Sequence, residues 1–317
     1  MKLSKFHGNL GVLALVLLMM GTILPATIAK TDQLGSSNID KSESFLLARL
    51  RRFKFNRLKV KAPPGRFTTS AAVRGCSSDD KNKAVENIMA LIPSNVSNSG
   101  VKSSDNLSKP NVELTTSPHP TVLFYLPQNS TETATFGLRT FDENGNEIPK
   151  RIYYANIKLP PTKYKGGIVI LDLANIANKT NLPELKIGES HTYKWNITFC
   201  EQTRNGEISG LIHRVDPNIP LVRQLDANAM VQDIDPNTIL ANELTKVNKT
   251  QQPSVYLTNG IWYSAVSSLA ELLKNNPQNS NLQQDWKDLL SDNLKNIPEK
   301  TIIGNAIITD VEIVNQN

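Results

Sequence analysis

The sequence predicts an all-β sandwich, antiparallel and Ig-like or related, followed by a small C-terminal α-helical hairpin region. Three observations carry this. Val122 to Leu126 is an unbroken apolar run rich in β-branched and aromatic residues, boxed by Pro118, Pro120 and Pro127. Such a run reads as a buried core strand, and Pro127 stops it too soon for a helix. Further short alternating runs follow at regular spacing with turn chemistry between them, which is the mark of a sandwich or barrel. After Pro217 the period-two pattern thins and apolar stripes at spacings of three and four take over.

At 317 residues the chain has room for two modest domains with an apolar core. Hydrophobic residues make up 39% and charged residues 20%, a globular balance that excludes a disordered tail and a polytopic membrane protein. Net charge is +6. Without residues 1–29, which carry Lys2 and Lys5 and no acid, it falls to about +4, 33 basic against 29 acidic residues. That is ordinary solubility and does not call for nucleic acid.

The N-terminus has the layout of a secretory signal peptide. Lys2 and Lys5 precede an apolar run from Leu10 to Leu24, and Thr27 and Ala29 supply small residues at positions −3 and −1 of a cleavage site. The run is short for a span and ends in Pro25, which favours cleavage before Lys30 over an anchor helix. Export to the periplasm, the cell surface or the medium follows as an expectation. In that oxidising setting the two cysteines, Cys76 and Cys200, are expected to form a disulfide. No His or Cys stands at zinc-ligand spacing from either, and no partner His is marked for a catalytic thiol.

In chain order, residues 30–61 read as a basic flexible linker. They include Arg49, Arg51, Arg52, Lys54, Arg57, Lys59 and Lys61, with Phe53, Phe55, Leu58 and Val60 interleaved. Basic residues alternating with aromatics can bind phosphates, but no second basic stripe supports a nucleic-acid binder. The sandwich is placed at 62–216. Within it, residues 79–92 read as an amphipathic helix or irregular crossing, with Ala84, Ile88, Leu91 and Ile92 on one face. Leu114 to Leu126 reads as one strand. Thr133–Phe141 and Arg151–Leu159 form a hairpin around Asn144-Gly145, with Ile152, Tyr154 and Ile157 expected to face inward. Gly166–Leu173, His191–Cys200 and Ser209–Val215 are further strands, the second alternating Tyr193, Trp195, Ile197 and Phe199. Helices are expected in the region 217–296, at Leu221–Met230, Thr238–Val247, Pro253–Leu273 and Leu282–Leu294. The last two should pack as an αα-hairpin around the Pro277 turn, through Ile261, Ala265, Leu269 and Leu273 against Leu282, Trp286, Leu289 and Leu290. The pair faintly resembles one tetratricopeptide unit. The tail 297–317 is β-branched over Thr301–Val314 and has the composition of one more strand.

The search for chemistry is mostly negative. His119, His191 and His213 are scattered through strand-like contexts. Asp142-x-Asn144-x-Asn146 begins like a calcium loop, but Glu147 stands where glycine is needed and Tyr153 where the bidentate Glu belongs, so it reads as a hairpin turn. Ser78-Asp79-Asp80-Lys81 and Ser104-Asp105-Asn106 mimic two β-lactamase elements without the third. There is no nucleophile elbow, P-loop or dinucleotide fingerprint. No catalytic residue, cofactor site or metal site is assigned. Six Asn-x-Ser/Thr sequons, at Asn95, Asn106, Asn129, Asn178, Asn196 and Asn248, fit an Asn- and Ser-rich composition as well as they fit glycans.

A set of short elements spread over about residues 62–294 resembles a known family. They are Ala62-Pro63-Pro64-Gly65, Arg74-Gly75-Cys76, Leu91-Ile92-Pro93 and Thr121-Val122-Leu123-Phe124-Tyr125-Leu126-Pro127. Gly188 with Tyr193-Lys194-Trp195, Phe199-Cys200, Gly210-Leu211-Ile212-His213-Arg214-Val215, Gly260-Ile261-Trp262-Tyr263 and Trp286 complete them. Together they resemble the cyanobacterial exported proteins grouped as DUF928, a domain of unknown function. This chain has Thr68-Thr69-Ser70-Ala71-Ala72 where the family pattern is richer in glycine, and Leu211 where a second aromatic is usual. The resemblance implies export, the disulfide and the two-part architecture, and it brings no catalytic residues. The expected function is therefore an exported, non-catalytic binding, interaction or structural module whose partner is another envelope protein or a glycan. The alternative is a secreted hydrolase of envelope polysaccharide or peptidoglycan, which needs a cleft holding two carboxylates at catalytic separation.

Overall fold

Every second residue of Thr192–Phe199 is large and apolar, and this strand runs through the middle of the protein. Tyr193, Trp195, Ile197 and Phe199 are all buried in the main apolar core. The computed structural model describes residues 55–58, 60, 62–63, 70–72, 87–93, 112–126, 133–159, 167–188, 191–199, 206–225, 234–235, 237–294, 309–310 and 312–316. All belong to one unit, Leu46–Asn317. The signal segment, Cys76 and Cys200 lie outside the described residues.

Two sheets make up the body. One has the order β1 (Ser70–Ala72), β2 (Asn87–Ala90), β4 (Thr121–Leu126), β7 (Gly167–Asp172), β10 (Thr309–Asp310). The other has the order β11 (Glu312–Gln316), β6 (Tyr153–Lys158), β5 (Thr133–Thr140), β8 (Thr192–Phe199), β9 (Glu207–Arg214), β3 (Val112–Thr115). Their inner faces share one core, in which Phe124 of β4 and Phe199 of β8 meet edge-on with ring centroids 6.0 Å apart. Neither sheet closes into a barrel.

The expectation of a purely antiparallel body needs correction at two edges. β10 lies parallel to β7 and β3 parallel to β9, while the other described pairs are antiparallel. Both exceptions join segments far apart in the chain, where no tight hairpin dictates direction. The tail crosses between sheets, giving β10 to one and β11 to the other. The run Leu114–Leu126 is two strands. Pro118 and Pro120 bend the chain between β3 and β4 and carry it from one sheet into the other. Of residues 79–92, expected as an amphipathic helix or an irregular crossing, 79–86 lie outside the described residues and 87–90 are strand, with Ile88, Leu91 and Ile92 all buried.

The helices are α1 (Leu173–Ala177), α2 (Leu240–Thr245), α3 (Gln252–Thr258), α4 (Trp262–Asn275) and α5 (Ser280–Asn293). The expected helix at Leu221–Met230 begins only as a 3-10 turn, Leu221–Arg223, with residues beyond Leu225 outside the described set. The expected single helix Pro253–Leu273 is broken between α3 and α4 at Gly260, whose φ of 74° is left-handed. Gly260 also leaves room for the chain passing over it: a Cβ there would lie 2.8 Å from the Asn56 carbonyl oxygen.

That passing chain corrects the linker reading. Residues 55–58 are docked on the helical layer. Asn56 N–H donates to Leu257 O at 3.1 Å, its Nδ2 donates to Thr258 O at 3.1 Å, and Phe55 packs on Trp262 at 5.3 Å. Leu58 is buried with Leu114, Val215, Leu221 and Ile261 in a second apolar cluster. Ile261 therefore belongs to this cluster, and Ala265, Leu269 and Leu273 join Leu282, Trp286, Leu289 and Leu290 in the main core. Helix α4 ties the helical layer to the sheets. Trp262 Nε1 donates to Leu91 O at 3.1 Å, Trp195 Nε1 donates to the Tyr263 hydroxyl at 2.7 Å, and Ser264 Oγ accepts from Thr116 N at 2.9 Å.

Candidate functional site

The strand register sorts side chains between the core and the outer face of the six-stranded sheet, and the outer face gathers the polar chemistry. Pairing of Leu138 with Tyr153 and of Ala134 with Ile157 sends Tyr153, Ala155 and Ile157 inward. Ile152 and Tyr154, expected inside, therefore face out: Ile152 is 38% exposed and Tyr154 half-buried. Strict alternation with Ile157 gives the observed parity, since 152 and 154 are even and 157 is odd. The apolar character of the two residues was the misleading signal.

Cross-strand rows run over this face. One row is Tyr154, Gly137, Asn196 and Ser209, and the next is Asn156, Thr135, Thr198 and Glu207. A third holds Arg139, Lys194 and Leu211. Gly137 is buried between the side chains of Asn196 and Arg151. A Cβ there would sit 2.7 Å from Asn196 Oδ1 and 3.5 Å from Arg151 Cδ. Asn196 is 1% exposed, its Nδ2 donates to Thr198 Oγ1 at 3.1 Å, and its Oδ1 accepts no hydrogen bond. Thr135 Oγ1 donates to Asn156 Oδ1 at 3.3 Å. The Arg151 guanidinium lies over the Tyr154 ring, 4.5 Å from its centroid.

The ions of this face are unequally committed. Glu147 accepts from Arg139 Nη1 at 2.8 Å and from Lys194 Nζ at 2.9 Å, and Glu207 lies 3.8 Å from the same Nζ. Both carboxylates are spent within the face. Arg151, exposed, and Lys158, exposed, enter no ion pair among the described residues. The hairpin turn beside them behaves as the sequence indicates. Asp142 accepts from Asn144 N at 3.0 Å, from Asn146 N at 2.7 Å and from Asn146 Nδ2 at 3.1 Å, so its oxygens hold the turn. Those bonds, led by the one from the Asn146 backbone, hold the Asp142 pKa below the usual carboxylate value.

A second polar group lies inside. Glu113 of β3 is 2% exposed and pairs with Arg57 Nη2 at 3.1 Å, while Arg57 also donates to Pro93 O. Burial pushes the Glu113 pKa up to about 7, with Arg57 pulling the other way. The nearby Tyr263 hydroxyl, buried and bound by Trp195, is raised as well. On the other side of the sheet, His213 is buried with neither ring nitrogen hydrogen-bonded. Burial lowers its pKa to about 4, with a smaller push from His191. The structure thus brings His191 and His213 near each other and leaves His119 apart, bonded to Leu182 O at 3.2 Å. Among the described residues no group of three or more His, Cys, Asp or Glu is placed to hold a metal ion, and no helix is long and apolar enough to cross a membrane. Of the described sequons, Asn178 and Asn248 are exposed and Asn196 is buried in its strand.

The fold and this face define a class: a β-rich protein of two facing sheets, closed at one side by helices, with an aromatic and basic patch on the outer sheet surface. The chain belongs to the family DUF928, Domain of Unknown Function, whose sequence profile matches residues 69–302. No curated protein matches the chain closely enough to count as a relative.

Proposed function

We propose that this is an exported, non-catalytic binding module of the periplasm or cell surface, and that the exposed patch of Arg151, Ile152 and Tyr154 beside β6 is its ligand surface. The observation that carries the reading is the outward placement of Tyr154 on β6, whose alternate residues are core, and of Arg151 and Ile152 just before it. A half-exposed aliphatic, an aromatic and an arginine stacked on it form a contact patch with no structural need to face water. Export rests on the signal-type N-terminus, and the Cys76–Cys200 disulfide rests on that compartment. The scaffold is read as a sandwich related to the Ig type, supported by the facing sheets and the antiparallel central pairs.

The hydrolase reading has less support. It needs two carboxylates open to substrate, and Glu113 is sealed against Arg57 while Glu147 and Glu207 both hold Lys194. The test is retention of purified protein on isolated cell-envelope fractions, comparing wild type with a Tyr154→Ala/Arg151→Ala variant of equal thermal stability. Loss of retention in the variant supports the reading. Equal retention moves the ligand surface elsewhere, and release of reducing ends or muropeptides from the fractions makes the protein a hydrolase.

A further inference from the structure

We propose that residues 55–58 are a strap that leaves the folded body as a unit, and that the Arg57–Glu113 ion pair is its latch: an ionised Glu113 holds the strap and a protonated one releases it. The inference stands apart from the binding-module reading. Its first support is how self-contained the strap is. Asn56 N–H donates to Leu257 O and Asn56 Nδ2 to Thr258 O, both at 3.1 Å. Phe55 lies on Trp262, Leu58 enters the second apolar cluster, and Arg57 Nη2 reaches Glu113 at 3.1 Å. Within the strap the Arg57 guanidinium lies 5.8 Å from the Phe55 ring centroid. None of these contacts is a rung of either sheet or a bond within a helix, so the described elements keep their own bonds when the strap leaves.

The second support is what surrounds Glu113. It sits on the edge strand β3, opposite Ile212 of β9, and is 2% exposed. Helix α4 places Tyr263 near it, a neutral hydroxyl that already accepts from Trp195 Nε1. The chain after β2 supplies only the Pro93 carbonyl, to which Arg57 also donates. Among the described residues the strap alone brings this carboxyl a positive charge. Direction then follows from reciprocity. Arg57 favours the ionised carboxylate, so the ionised carboxylate favours the docked strap by the same factor. A neutral carboxyl still offers Arg57 an acceptor, but the charge-assisted bond is roughly twice as strong. With the Glu113 pKa at about 7, the latch works around neutral pH.

The experiment is amide hydrogen exchange of the chain beginning at Lys30, from pH 9 to pH 6, corrected for the pH dependence of exchange in free peptides. The Asn56 amide, bonded to Leu257 O, reads the strap, and the amides of β8 read the body. Protection at Asn56 should fall about tenfold over this range while β8 loses none. Glu113→Gln should give the weakly held level at every pH. Arg57→Met, which cuts the latch from its more exposed side, should also be flat and keeps the test open if Glu113→Gln does not fold. Asn56→Ala should raise opening by one factor at every pH and keep the slope. Wild-type protection at Asn56 that is flat, or that rises on acidification, would overturn the latch, as would a slope that survives in Arg57→Met. Protection lost from Asn56 and β8 together would show that the strap does not open by itself and would overturn the proposal.

Discussion

Glu113 and His213 should make stability nearly independent of pH across the mildly acidic range, and one substitution should unmask the dependence. The Glu113 pKa is about 7 in the folded protein against an ordinary 4.5, because burial outweighs Arg57. Between those values the folded state holds a proton that the unfolded state has lost. This contribution is full below pH 4.5 and is lost as pH rises through 7. His213 runs the other way. Its folded pKa is about 4 against 6.5, so the unfolded state binds the extra proton, and stability present above pH 6.5 is lost as pH falls through 4. Each shift corresponds to about 3 kcal/mol, and from pH 6.5 to 4.5 the two slopes are equal and opposite. Glu113→Gln removes one of them. Arg57 is left beside a neutral amide, and its partial exposure lets water serve it. Urea denaturation of wild type and Glu113→Gln from pH 8 to 4 reads the difference. The variant, relative to wild type, should lose about 3 kcal/mol on acidification. His213→Leu should show the reverse, a relative gain as pH falls. Curves for wild type and Glu113→Gln that stay parallel would refute the assignment of these protons.

Three further outcomes follow from the packing and the chain ends. Trp286, 1% exposed in the main core, should cost about 3–5 kcal/mol on change to Ala, read by urea midpoints. Gly210→Ala should cost about 1–3 kcal/mol, because its Cβ would stand 2.4 Å from Ile92 Cδ1 and 2.7 Å from the indole of Trp195, which Tyr263 holds in place. In exported protein, mass spectrometry of non-reduced peptides should find Cys76 joined to Cys200 and the mature chain beginning at Lys30, and two free thiols or an N-terminus at Met1 would contradict the export reading.

The parts legible in the sequence are those in which one local rule decides. Tyr193, Trp195, Ile197 and Phe199 alternate without a fault and are all core. The Asp142–Glu147 turn carries Asn144-Gly145, and α5 starts behind Asn279, which caps it by accepting from Asn281 N and Leu282 N. What stayed hidden depends on distant partners. The break at Gly260 lies inside an apolar stripe that continues on both sides, and the left-handed turn is needed for the strand of chain at Asn56 and Leu58, some two hundred residues away in sequence. The docking of Phe55 and Leu58 was masked by the basic residues around them, since the charge run reads as solvated while alternate side chains bury. The candidate site was missed for the opposite reason. Hydrophobicity argued that Ile152 and Tyr154 were core, and only the pairing of β6 with β5 turns them outward.

Strand β8 brings the two roles of the body into one segment, which makes them separable. Its odd positions, Tyr193 to Phe199, hold the sheets together through the core and, by Trp195, through Tyr263 of α4. Its even positions, Lys194, Asn196 and Thr198, belong to the polar outer face. The even positions are themselves largely buried, with Lys194 at 6% and Asn196 at 1% exposure. The backbone that carries Asn196 is pinned on both sides by β5 and β9 and underneath by Trp195 and Ile197. Asn196 keeps a buried oxygen without a partner in this frame, which costs about 1–3 kcal/mol. Replacement by an apolar residue of similar size should on that account hold or raise stability, read by urea midpoints. A loss of stability on that replacement would instead show that the Thr198 bond outweighs the unpaired oxygen.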